Sequence, residues 1–171
     1  MKKENVLRLT NLAFLTALEI VLARFLSISA WNIKIGFDFI PIVIAAILYG
    51  PIAGGIVGAS GDFIGAVLFP IGPYFPGFTL TAFCVGVIYG LFLHRRQTIK
   101  RIVCTILINQ LILSLLVNTL WISILYNVSF HVLLPVRLVQ CAVLIPIQII
   151  LIGLVAKSLI RYWKYVPVAK P

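Results

Sequence analysis

Acidic residues are scarce in this chain: Glu4, Glu19, Asp38 and Asp62 are the only four among 171. Charged residues of both signs reach only 11%. That is too few to solvate an ordinary globular surface, and no polar stretch is long enough for a separate soluble domain. Cysteine is sparse too. Cys84, Cys104 and Cys141 lie inside apolar runs without a C-x-x-C spacing, so neither a disulfide framework nor a zinc signature is present, and they read as small core residues. There is no H-E-x-x-H, no G-x-S-x-G and no Cys-His pair at comparable depth, which speaks against an enzyme. His131 is the only histidine expected at the outer side and has no nucleophile beside it, while His94, next to Arg95 and Arg96, reads as a solvated loop residue. A Walker A sequence is also missing, so the chain has no P-loop ATPase site of its own. No metal ligand set or bound cofactor is expected.

What is abundant is apolar: 62% of residues are hydrophobic and mean hydropathy is +1.15. Residues 1–171 read as one integral membrane domain. The net charge of +10 comes from 14 Lys and Arg. Most of them fall in three zones: Lys2, Lys3 and Arg8; Arg95, Arg96, Lys100 and Arg101; Lys157, Arg161, Lys164 and Lys170. Six spans place all three zones on one face, which the positive-inside rule makes cytoplasmic, with both termini there. The basic clusters are thus topology signals, and a nucleic-acid partner is not indicated. The opening MKKENVLRLTN leads into an apolar run without a small-residue cleavage pattern and reads as a retained first helix.

The pattern predicts an all-α bundle of six transmembrane helices, over about Val6–Ile28, Asp38–Gly50, Ile52–Phe69, Phe78–Leu93, Ile99–Tyr126 and a last one from Phe130–Pro135 to near Lys164. Helix 2 is short for a span at 1.5 Å per residue. Gly50-Pro51 makes a tight turn into helix 3. Pro146 is a candidate kink in helix 6.

Helix 3 carries Gly54, Gly58 and Asp62 at intervals of four, with Gly61 and Gly65 on an adjacent stripe. Glycines there allow close packing or leave space. A carboxylate at that depth must be paired or protonated, and it marks either a ligand path or a structural ion pair with Arg24 or Arg137. Glu19 and Arg24 are five apart, about 140° round a helix, so they cannot form the usual i, i+4 pair. Arg24 then either snorkels to the interface or faces a ligand. Ala13 and Ala17, four apart, either allow another helix to approach closely or reflect ordinary alanine content.

Two loops flank these helices. SAWNIKIGF (Ser29–Phe37) holds Trp31 and Lys34, and the tryptophan reads as a belt anchor or a lid. PIGPYFPGF (Pro70–Phe78) is proline-dense, which holds Tyr74, Phe75 and Phe78 in place as a wall or gate. Thr79 in the next turn can cap a helix or bond a ligand. Asn118 and Trp121 share a face near the outer end of helix 5, whereas Asn109 and Gln110 read as interhelical glue. Arg137 and Gln140 lie three apart on helix 6. Cations with one carboxylate, amides and aromatic faces suit a flat heteroaromatic ligand bearing negative groups.

Within this frame, GDFIGAVLFPIGPYFPGFTLTAF (Gly61–Phe83) followed by VGVIYGLF (Val85–Phe92) resembles the folate-specific substrate-binding subunit, or S component, of energy-coupling factor vitamin transporters. The G-P-Y-F-P-G-F-T loop is the specific element. The resemblance implies capture of folate at the outer face of a prokaryotic cytoplasmic membrane, with delivery inward once joined to a transmembrane coupling subunit and two ATPases that use ATP. It also implies that Ala13 and Ala17 match the A-x-x-x-A docking pattern, and that Trp31 and the Pro70–Gly77 loop act as gates. On chemical grounds Asp62 is nominated for the pterin edge and Arg24, Lys34 or Arg137 for the glutamate tail, with Trp31, Phe75 and Trp121 sandwiching the rings. An S component for another vitamin and an independent transporter coupled to protons through Asp62 or Glu19 remain the alternatives.

Overall fold

The computed structural model describes residues 3–30 and 33–163, with side chains described for 5–27 and 36–159. Its framework is helical. Helix α1 (Lys3–Arg24) is followed by β1 (Ile28–Ala30) and β2 (Ile33–Ile35), a short antiparallel ribbon pairing Ser29 with Lys34, then by α2 (Phe39–Tyr49) and α3 (Pro51–Leu68). After α4 (Pro76–Leu93) comes one rod in three parts: α5 (Ile99–Leu107), a π-helical segment (Ile108–Val117) and α6 (Asn118–Tyr126). Helix α7 (Phe130–Trp163) runs on through Pro135 and Pro146. Among the described residues, five rods are long and apolar enough to cross a membrane, and α2, with 11 residues, is shorter.

Burial follows the rule for a bundle in lipid rather than in water. Small and medium apolar side chains fill the centre, with Val43, Ala45, Ala46, Val57 and Ile106 fully enclosed. Large ones such as Phe14, Ile52, Leu91 and Val132 point outward. Lipid tails are as apolar as leucine, so nothing drives these inward; helices associate instead where small residues let their backbones touch.

Here glycine decides the arrangement. A Cβ on Gly54 would lie 2.7 Å from the Gly86 carbonyl oxygen and 2.7 Å from the Ala46 Cβ, and one on Gly86 would overlap the Gly54 backbone. Farther along, a Cβ on Gly58 would meet the Ala82 carbonyl at 2.6 Å, and one on Gly90 would overlap Pro51. Helices α2, α3 and α4 therefore form a close-packed slab. The turn between α2 and α3 is set by Gly50, whose φ of 92° is a conformation L side chains avoid, and by Pro51, whose fixed φ suits a first helical position.

The basic end of the bundle is tied together by polar contacts. Arg8 donates to the Tyr49 carbonyl at 3.2 Å, Asn11 donates to the Tyr49 hydroxyl at 2.7 Å, and His94 Nδ1 lies 2.9 Å from the Ile47 carbonyl. His94 is thus half-buried between the ends of α2 and α4, not a solvated loop residue as its neighbours suggested. The opposite end opens into a cavity.

Candidate functional site

The cavity, about 490 Å³, lies between the α2–α3–α4 slab and the wall made by α6, α7 and the π segment, with α1 closing one side. Its polar groups come from separate elements: Arg24 and Glu19 on α1, Asp62 on α3, Asn118 on α6, and Arg137, Gln140 and Gln148 on α7. Tyr74, Phe75 and Phe78 supply aromatic surface from the loop and the first turn of α4. This brings eight of the residues singled out from the sequence to one space.

Asp62 is held by its surroundings. Thr79 donates to Asp62 Oδ2 at 2.7 Å, and the Tyr74 hydroxyl lies 3.2 Å from the Thr79 oxygen. Thr79 does not line the cavity but stands behind the carboxylate and orients it. Arg24 donates to the Asp62 main-chain carbonyl at 3.4 Å, so its hydrogen bond goes to the backbone rather than to the acid. The glycine stripe explains how two charged side chains of α1 fit here. A Cβ on Gly61 would overlap the Glu19 carboxylate, and one on Gly65 would lie 2.8 Å from Arg24 Nε. Gly54 and Gly58 pack helices; Gly61 and Gly65 leave room for charge.

Opposite, Arg137 is buried, with only 6% of its surface exposed. It donates to Gln140 Oε1 at 3.3 Å, a neutral amide, while its Nε has no partner among the described residues. Buried polar atoms without partners among the described residues recur on this wall at Asn118 Oδ1 and Gln148 Oε1. Burying such groups is unfavourable unless something bonds them, so this wall presents hydrogen-bonding capacity to whatever enters.

Phe75 and Trp121 do not face each other across an open slot. They pack on each other, with centroids 5.4 Å apart and planes tilted by 46°, leaving no slot between them for a third ring. Trp121 Nε1 donates to Thr81 Oγ1 at 3.1 Å, Thr81 donates to the Gly77 carbonyl at 2.8 Å, and the missing Cβ of Gly77 makes space for both rings. Trp121 buttresses the loop from behind, whereas Phe75 faces the cavity. Trp31 and the Lys34 side chain lie outside the described residues. Ala13 and Ala17 are exposed on α1, apart from the buried Leu15 and Glu19.

Several lining residues are not among those the sequence nominates as ligand contacts: Glu19, Asp38, Tyr89, Asn109, Gln110, Ser114 and Gln148. Gln148 carried a readable signal, since eleven residues after Arg137 is about three helical turns and returns to the same face. Asn109 and Gln110, read as glue between helices, line the cavity. Among the described residues, no group of three or more His, Cys, Asp or Glu could hold a metal ion.

Residues 7–160 match the family model for the substrate-specific component of ECF transporters. The folate transporter FolT of Clostridium novyi (strain NT) is 44% identical over 153 residues, covering 89% of this chain and 88% of that protein. FolT of Leuconostoc mesenteroides subsp. mesenteroides is 38% identical over 80 residues, 47% of this chain and 43% of the relative. Among solved structures, a crystal structure of FolT bound with folic acid superposes with a TM-score of 0.84 at 32% identity, covering 88% of this chain and 94% of the other. The S component of a bacterial ECF transporter shares the fold at a TM-score of 0.54 and 24% identity, covering 94% and 97% of the two chains.

Proposed function

This chain belongs to the family of ECF transporter substrate-specific components, and on that premise we propose that it captures folate at the outer face of the cell membrane. It then passes the vitamin inward with a transmembrane coupling subunit and two ATPases. The observation that carries the reading is Arg137, a buried cation on the cavity wall whose hydrogen bond goes to a neutral amide. An uncompensated charge in a low-dielectric site is unfavourable, and an anionic ligand group offsets that by charge-assisted hydrogen bonds.

The rest of the cavity suits the remainder of folate. Asp62 accepts Thr79 on one oxygen and keeps further acceptor sites, which match the adjacent N–H donors of a pterin edge. Arg137, with Arg24 or Lys34 as the alternatives, is assigned to the glutamate carboxylates; Tyr74, Phe75 and Phe78 are assigned to the rings, and Trp31 to the lid. Asn118 and Gln140 complete the polar contacts, while Thr79 and Trp121 hold first-contact groups in place. The basic end of the bundle faces the cytoplasm with both termini by the positive-inside rule, so the cavity opens outward. Exposed Ala13 and Ala17 form the face on which the coupling subunit docks, and hydrolysis of ATP occurs in partner subunits.

The test is titration of the purified detergent-solubilised protein with folate, reduced folates, thiamine, riboflavin and biotin, followed by tryptophan fluorescence corrected for ligand absorption. Saturable binding of folates alone is the expected result. Binding of another vitamin without folate keeps the family and overturns the ligand. Uptake that needs no ATPase partner and collapses with the proton gradient would instead establish a secondary transporter.

A further inference from the structure

We propose that the groove between α4 and α5 at the basic end of the bundle is a seat for one anionic phospholipid. Five residues line it: Leu91 and Phe92 from the last turn of α4, and Lys100, Arg101 and Cys104 from the first turns of α5. The cavity described above does not include them.

The occupant must satisfy two chemistries at once. Leu91 is largely exposed and belongs to the apolar run Pro76–Leu93, so the upper part of the groove faces hydrocarbon. Lys100 and Arg101, both exposed, stand where that run ends. A water-soluble anion would leave the apolar part unfilled, and an acyl chain alone would leave two cations unused. A phospholipid with a net negative headgroup fills both. An acidic protein segment would have to lower its charges into the hydrocarbon edge, which is unfavourable.

The cationic part is oriented, unlike the general basic surface. Arg101 donates through Nη1 to the Phe92 carbonyl at 3.4 Å, which fixes its guanidinium over the end of α4. Its remaining N–H donors stay available to phosphate, and guanidinium forks match phosphate oxygens in pairs. The groove also abuts the start of α5, where Thr98 makes no side-chain cap bond and the helix dipole presents its positive end. Arg95 and Arg96, in the neighbouring loop, are exposed and do not line the groove.

Cys104 provides a reporter inside the seat, because it is exposed while Cys141 is buried and Cys84 half-buried. The full chain is placed in nanodiscs of phosphatidylcholine, with or without phosphatidylglycerol, and maleimide modification of Cys104 is followed by peptide mass spectrometry. Phosphatidylglycerol is expected to slow modification several-fold. That protection should be lost in Lys100→Gln/Arg101→Gln and kept in Arg95→Gln/Arg96→Gln, while folate binding stays unchanged in both as a check on folding. Native mass spectrometry should show one retained phosphatidylglycerol that the first pair loses and the second keeps. Equal modification rates in the two lipids overturn the proposal, as does protection that survives Lys100→Gln/Arg101→Gln. Protection by inorganic phosphate alone, equal to that by the lipid, would overturn the lipid as occupant.

Discussion

The two walls of the cavity are built on opposite terms. On the α2–α3–α4 side, backbones touch through Gly54, Gly58, Gly86 and Gly90, and Asp62 already accepts a hydrogen bond from Thr79. On the side of α6 and α7, Asn118, Arg137 and Gln148 each keep a buried polar atom without a partner among the described residues. The first wall has its polar groups bonded within itself; the second keeps hydrogen-bonding capacity open toward the cavity. In membranes this division is stable, because close backbone packing holds the slab without needing a filled cavity.

The comparison breaks most severely at the glycines. Gly86→Val forces a side chain into the Gly54 backbone, and a loss of at least about 3 kcal/mol is expected, because backbone on both sides cannot move aside. The check is thermal unfolding in detergent; an unchanged transition would mean that α3 and α4 do not meet as described.

Arg137→Ala tests the open wall. Folate binding should weaken by roughly 10- to 100-fold, the range for hydrogen bonds to charged groups, while the folate-free protein keeps its melting temperature or gains. Loss of stability without loss of affinity would make Arg137 structural. Asp62→Asn, on the finished wall, keeps an acceptor for Thr79 and removes one charge, so affinity should fall by about tenfold, measurable by calorimetry. Thr79→Val leaves the carboxylate in place but unoriented. About 1 kcal/mol of binding, or roughly fivefold, is expected to go. The smallest effect belongs to Gly153→Ala on α7, where a Cβ meets nothing within 4 Å. Stability should change by at most about 1 kcal/mol, in the stabilising direction.

Much of this was legible because lipid imposes strict rules on sequence. Hydropathy located the rods to within a few residues, Gly50-Pro51 announced its turn, and the run Gly61–Phe92 pointed to the family. What was misjudged traces to geometry that spacing does not encode. Asn109 and Ser114, five apart, lie about 140° round an α-helix from each other, yet the π segment with its i→i+5 bonding brings both to the cavity. Chemistry alone offers Trp31, Phe75 and Trp121 as faces for the ligand rings, but it does not foresee that Phe75 and Trp121 pack on each other. Their mutual packing depends on Thr81 and on the absent side chain of Gly77, a relation among three elements.

The sequence by itself determined that this is a helical membrane protein, where its rods begin and end, and which polar residues are too few to be accidental. Each of these follows from local terms: transfer of side chains into hydrocarbon, and backbone limits at glycine and proline. Only the tertiary structure decided which stripe of glycines packs helices and which makes room for Glu19 and Arg24. It also decided that Arg24 bonds the backbone of Asp62 and that Thr79 stands behind the carboxylate. Those outcomes depend on crossing positions set by contacts between rods, to which residues far apart in the chain contribute jointly.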